Sequence, residues 1–276
     1  MNNIKLSIIL STLLLSSSII FSGCIDSPQT IKIDKFEDLG NKGVSISIGN
    51  PEHVPAGKYA MKILDNLKKS NPEFADNITK NIVSKEVNVR AVLDKVVSKE
   101  VDAGFVYRTD AFMEKDKLNI IKIPDDVSVT PEYPISVLKD SDNKKSSEEF
   151  VKFILSKDGQ DILSKYGFIS PVENPKPYEV SGINDEIVVY AAASLTDAFN
   201  EIADEFEKKT GCNVKLSFAS SGSLRQKIEG GAVGGTNGAD VFASASLKHM
   251  DILKNEEFIG NYSIFAKNEM VVITPK

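Results

Sequence analysis

At Ile187-Val-Val-Tyr-Ala-Ala-Ala-Ser-Leu-Thr-Asp-Ala-Phe-Asn-Glu-Ile-Ala-Asp-Glu-Phe206 the chain commits itself to an architecture. The first seven residues are an unbroken apolar run that opens on β-branched side chains, the pattern of a strand buried on both faces. From Leu195 the period changes. Leu195, Ala198, Phe199, Ile202, Ala203 and Phe206 recur at helical spacing up to a stop at Gly211. A buried strand feeding an amphipathic helix is the front half of a βαβ unit, and such units build parallel sheets with helices on their faces.

The same alternation extends in both directions. Downstream, 214–219, 239–244 and 270–274 read as three more strands. Upstream, 44–49 reads as a strand and 56–69 as a helix with Ala60, Ile63, Leu64 and Leu67 on one face. Asn88 is placed to cap a second helix whose stripe is Val89, Val92, Leu93, Val96 and Val97. Strands follow at 101–107 and 118–123. Ser146-Ser-Glu-Glu149 has capping-box spacing ahead of Phe150, Phe153 and Ile154. Between the two series, 170–186 carries Pro171, Pro175, Pro177 and Gly182 without a period and reads as a linker. The expectation is an α/β protein with parallel sheets covered on both faces.

Composition narrows the partners. Of 276 residues 41% are hydrophobic and 26% charged, so neither a disordered chain nor a polytopic membrane protein fits. Lys+Arg 33 against Asp+Glu 39 gives a net charge of -6, which excludes the basic surface that nucleic-acid binding needs. The chain opens with Lys5 as its one early charge, then an apolar and serine-rich run over 6–21. This is the form of an export signal ending at Phe21-Ser-Gly-Cys24. The last four residues resemble a lipobox, which would make Cys24 a lipidated N-terminus and hold the mature protein on the outer face of the cell membrane. Cys212 is the only other cysteine, so with Cys24 lipidated there is no intramolecular disulfide and no cysteine metal site.

Two strand-to-helix turns point at an anion. At Ala193-Ser-Leu-Thr-Asp197 a strand delivers a hydroxyl to the first turn of a helix, with Ser194 and Asp197 at capping-box spacing. Ser194 therefore either caps its own helix or serves a ligand. At Phe218-Ala-Ser-Ser-Gly-Ser223 hydroxyls and a glycine stand between a strand and a short helix that Gly230 and Gly231 end. Side by side at the carboxyl ends of strands, such turns aim N–H groups and hydroxyls into one crevice. A third turn, Gly49-Asn-Pro-Glu-His-Val-Pro-Ala-Gly57, is stiffened by Pro51 and Pro55; it is either a rigid loop without function or a further wall of that crevice.

Six blocks make the resemblance specific: Tyr190-Ala-Ala-Ala-Ser-Leu-Thr-Asp-Ala-Phe199, Phe218-Ala-Ser-Ser-Gly-Ser-Leu224, Ala239-Asp-Val-Phe-Ala-Ser-Ala245, the 49–57 turn, Asn88-Val-Arg90 and Gly104-Phe-Val-Tyr107. Together they resemble the periplasmic molybdate-binding proteins of ABC importers. The resemblance implies a two-lobed type II periplasmic binding fold holding molybdate or tungstate between its lobes, a permease as partner, a monomer, no cofactor and no catalysis. It also implies ligand contacts from Ser194, Ser221, Ala56, Val89 and Tyr107.

The blocks are exchanged relative to the family, as in a circular permutation. On that reading 1–23 is the lipoprotein signal, 24–43 a tether and segment near the hinge, 44–124 lobe 2 and 125–136 a hinge crossing. Residues 137–169 are then helices of lobe 1, 170–186 the linker that closes the old termini, 187–269 the rest of lobe 1 and 270–276 a hinge strand. The crossing around 124–134 is expected to be the main covalent one. The rival classes are a binding protein for sulfate or phosphate and a serine hydrolase. Against the hydrolase, at Ser223 the second glycine of Gly-x-Ser-x-Gly is replaced by Arg225. Against a metal site, Glu52 and His53 have no third ligand at recognisable spacing.

Overall fold

The computed structural model describes residues 31–179 and 182–276. The export signal and Cys24 lie outside them. Lobe 2 opens with β1 (Ile46–Gly49), α1 (Pro55–Ser70), α2 (Pro72–Lys80), β2 (Ile82–Glu86) and α3 (Val89–Val97), and continues with β3 (Ala103–Tyr107), α4 (Arg108–Met113) and β4 (Leu118–Lys122). The chain then crosses to lobe 1 for β5 (Glu132–Val137), α5 (Lys144–Leu155) and α6 (Lys157–Lys165). It stays there for β6 (Glu186–Ala192), α7 (Thr196–Thr210), β7 (Asn213–Ala219), α8 (Ser221–Glu229), β8 (Val241–Ala243), α9 (Leu247–Asn255) and β9 (Ser263–Lys267). Finally β10 (Met270–Pro275) returns to lobe 2.

Each lobe is built on a five-stranded sheet, ordered β2-β1-β3-β10-β4 and β7-β6-β8-β5-β9. The sheets are mixed, which corrects the expectation of purely parallel ones. β1 runs parallel to β2 and β3, and β6 parallel to β7 and β8. β10 is antiparallel to β3 and β4, and β5 is antiparallel to β8 and β9. The antiparallel members are the strands reached by crossing between lobes rather than over a helix.

Two crossings join the lobes, one over 123–131 and one at Asn268 and Glu269 between β9 and β10. The sequence makes the first the main covalent one. In the structure β10 stays covalently joined to the strand before it, so both crossings are intact.

Helix ends follow the local sequence in some places and depart from it in others. Asn88 caps α3 by accepting the Ala91 N–H at 3.0 Å, and Gly211 ends α7 at φ 85°, a conformation in which a Cβ would be strained. The Ser146–Glu149 capping box does not form. α5 begins two residues earlier, the Ser146 hydroxyl donates to Asp185, and Glu149 turns away to Lys152 and the Tyr178 hydroxyl. Phe150, Phe153, Phe199 and Phe206 pack edge to face or tilted in the core of lobe 1. Tyr178, in the 170–186 segment, lies against Phe153 at 5.3 Å between ring centroids, so that segment is docked on lobe 1. Ile33, Phe36 and Leu39 are buried in lobe 2, which makes 31–43 part of that lobe's core and more than a tether.

Candidate functional site

Six parallel strands, β1, β2 and β3 in lobe 2 and β6, β7 and β8 in lobe 1, point their carboxyl ends at the seam between the lobes. There Ala56, Val89 and Tyr107 meet Ser194 and Ser221 on the wall of one small cavity. All five residues named from the sequence therefore come together, three from one lobe and two from the other. Each arrives by its own local logic. Ala56 sits in the first turn of α1, behind Pro55 at the first helical position. Val89 opens α3, and Ser221 opens α8 after its cap Ser220, whose hydroxyl oxygen accepts the Ser223 N–H at 3.2 Å. The first N–H groups of a helix have no acceptor within it, so three helix starts present free donors and the positive ends of three dipoles.

Of the two roles the sequence leaves open for Ser194, the structure removes the cap. Ser194 lies in a 3₁₀ turn, Ala193–Leu195, ahead of α7, whose cap is Leu195 without a side-chain bond. It caps nothing, and its hydroxyl stands at the cavity wall 3.1 Å from the Tyr133 hydroxyl. Asp197 does not turn back to it and instead binds Arg90 of lobe 2. Arg90 Nε also stands 2.9 Å from Asp110 Oδ1, and Asp110 is fully buried. Burial pushes the Asp110 carboxyl up to about 6 against the opposing pull of Arg90. Burial also works against the Arg90 charge, but Asp110 and Asp197 outweigh it and raise its pKa. Arg90 thus spans the seam, held from behind by one carboxylate and gripping another in front.

The cavity wall carries no ionisable group except the Tyr107 phenol. That hydroxyl is buried beside the Tyr133 phenol without reaching hydrogen-bond geometry with it, and burial, with Tyr133 next, raises its pKa well above the ordinary value, so it is a neutral donor. The Ser221 hydroxyl oxygen accepts the Ala245 N–H at 3.0 Å, which leaves its own proton to donate. A dry wall of donors with helix dipoles behind it suits a small anion that brings no proton.

The lobes touch beside the cavity. The Gly222 N–H donates to the His53 carbonyl at 3.0 Å, and a Cβ on Gly222 would lie 2.4 Å from that oxygen. Burial nearby pushes His249 down to about 4, helped by the charges of Lys58, Arg225 and Lys248. The sequence showed no basic run here because the cations come from α1, α8 and α9. Neither histidine side chain bonds a serine among the described residues, and no cluster of three His, Cys, Asp or Glu that could hold a metal occurs among them.

The profile of the bacterial extracellular solute-binding protein family matches residues 18–169 and 187–276. The chain belongs to this family. As a solute-binding protein it is 35% identical to YvgL of Bacillus subtilis over 144 residues, 52% of this chain and 51% of YvgL. It is 33% identical to the molybdate-binding protein ModA of Mycobacterium tuberculosis over 140 residues, 51% of this chain and 50% of ModA. The chain thus spans about half the length of the curated relatives it matches. In fold it resembles the phosphate-binding protein of a phosphate ABC transporter from Streptococcus pneumoniae, with a TM-score of 0.51 at 14% identity over 85% of this chain and 90% of that one. The two-lobed periplasmic binding fold expected from the sequence is therefore the fold of this solute-binding protein. Among the described residues no helix is long and apolar enough to cross a membrane.

What the sequence reading missed is the layer behind the site. Arg90 stood inside a quoted block without a role. Tyr133, whose hydroxyl lies 3.1 Å from Ser194 Oγ, sits in a strand that was read as part of the crossing. The Arg90–Asp197 pair spans 107 residues and the Tyr133–Ser194 pair 61, so no local pattern could signal them.

Proposed function

We propose that this protein captures a fully ionised tetrahedral oxyanion, molybdate or tungstate, between its lobes and hands it to the permease of an ABC importer. The observation that carries the reading is the convergence of Ala56, Val89, Tyr107, Ser194 and Ser221 on one uncharged cavity at the seam. Neutral donors at fixed places bind a dianion without a countercharge when helix dipoles share its charge. The likeness to a molybdate-binding protein supports the choice of ion. Lipidation at Cys24 would keep the protein beside its permease. Two features favour a circularly permuted chain order: the family profile matches in two pieces, and YvgL and the Mycobacterium ModA each align over only about half their length.

Charge does not sort molybdate from sulfate, because both are dianions at neutral pH. Spacing does, since an ion too small for the cavity leaves some donors beyond hydrogen-bond length. Calorimetric titration with molybdate, tungstate, sulfate and phosphate is expected to show tight binding of the first two and far weaker binding of the others. Equal affinity for sulfate or phosphate overturns the assignment.

A further inference from the structure

Behind Ser194 runs a buried chain of hydrogen bonds that starts in the crossing between the lobes. Asn268 is fully buried at that crossing, and its Oδ1 accepts the Glu269 N–H at 2.9 Å. That bond fixes which end of the amide carries the protons. The Nδ2 group donates to Thr109 Oγ1 at 2.9 Å and to the Tyr133 hydroxyl at 3.3 Å. Tyr133 is fully buried too, and its hydroxyl lies 3.1 Å from Ser194 Oγ. An amide N–H donates only, so it occupies a lone pair on the Tyr133 oxygen and leaves the single phenolic proton for a hydroxyl neighbour, of which Ser194 Oγ at 3.1 Å meets hydrogen-bond geometry and the Tyr107 phenol beside it does not. Ser194 then accepts from behind and turns its own proton forward into the cavity.

We infer that Asn268 and Tyr133 are positioning residues that make Ser194 a one-way donor, tying the direction of a site hydroxyl to the geometry of the lobe crossing. Thr109 extends the tie, because it belongs to α4 of lobe 2 while Tyr133 and Ser194 belong to lobe 1. Ser221 reaches the same state by a different route, through the Ala245 N–H. Both site hydroxyls therefore have an oxygen engaged by a protein donor and a proton left over, which is the arrangement an acceptor-only ligand requires. Chains of this kind also polarise each successive bond, so the donor at the end is stronger than a lone serine.

The inference rests on the oxyanion reading, and two measurements separate the two. The first is a double-mutant cycle on the binding of molybdate, using Tyr133→Phe and Ser194→Ala. Tyr133→Phe leaves the ring in place and removes only the link, so affinity is expected to fall by roughly tenfold, near the loss for Ser194→Ala. The double variant is expected to be no worse than Ser194→Ala alone. Additive losses would show that Tyr133 acts on packing and would overturn the relay. Asn268→Asp keeps the shape but supplies an acceptor, so the Tyr133 proton turns to it and draws the Ser194 proton backwards. Affinity is expected to fall as far as in Ser194→Ala, with Asn268→Ser as the uncharged control in case the buried carboxylate unsettles the fold. Unchanged affinity in Tyr133→Phe overturns the inference.

The second measurement needs no ligand. In the free protein the Tyr133 hydroxyl proton is expected as a slowly exchanging NMR resonance with an NOE to the Ser194 β protons. A Ser194 hydroxyl proton pointing at Tyr133 instead would overturn the relay. If no oxyanion binds the unaltered protein, the reading of its function fails, and this spectrum still decides the relay.

Discussion

At the level of single residues the site divides into hydroxyls that can be deleted and backbone that cannot. Ser194→Ala and Ser221→Ala each remove one donor to a charged acceptor and are expected to cost about 1.5–3 kcal/mol, roughly tenfold to a hundredfold in the Kd for molybdate. Ala56 and Val89 offer N–H groups, so small apolar replacements there are expected to change it less. Unchanged binding in both serine variants would show that the anion sits elsewhere. The titrating groups give two predictions of opposite sign. His249 is held near 4 in the fold against 6.5 when free, so the unfolded chain takes up a proton that the folded one refuses, and stability falls as pH drops from about 6.5 to about 4. Asp110 is held near 6 against 3.8, so the folded chain binds the extra proton and stability falls as pH rises through that window. His249→Gln should therefore tilt the pH dependence of denaturant unfolding one way between pH 4 and 6, and Asp110→Asn the other. Matching tilts would contradict the burial of one of them.

At the level of elements, α3 and α7 are joined across the seam by Arg90 and Asp197. Asp197→Ala leaves Arg90 on Asp110, so no buried charge is stranded and lobe 2 keeps its structure. Release of molybdate in stopped flow is expected to quicken by roughly tenfold, with association little altered, because a pair that bridges the two lobes acts on the off-rate. An equal change in both rates would mean that Asp197 steers the anion rather than holding the lobes. These elements also show how far local pattern reaches. α1, α3 and α7 were legible because an apolar stripe, a capping Asn88 and a terminal Gly211 agree with one another. β2 was not, since it is a half-exposed edge strand whose residues Ile82-Val-Ser-Lys-Glu86 carry few apolar side chains. β5 was hidden by Pro134, where its pairing with β9 shifts register. The site hydroxyls were visible because they stand at βα turns. Asp197 was misread because its spacing from Ser194 fits a cap while its true partner lies 107 residues away.

At the level of the whole molecule the question is chain order. A chain rebuilt with 187–276 ahead of 31–168 keeps both sheets and both lobe crossings, because the 170–186 segment joins α6 to β6 inside lobe 1. Titrated side by side, the two forms are expected to prefer the same oxyanions with closely similar affinity. A different preference would show that connectivity shapes the site. The lobes, by contrast, touch where His53 and Gly222 meet. That meeting is main chain against main chain, with no side chain between them that could give way. If the proposed oxyanion is the ligand, the seam is expected to work as a fixed gauge: an anion of the right girth would let the jaws shut to this contact, a larger one would prop them apart, and a smaller one would rattle within a gap that can narrow no further.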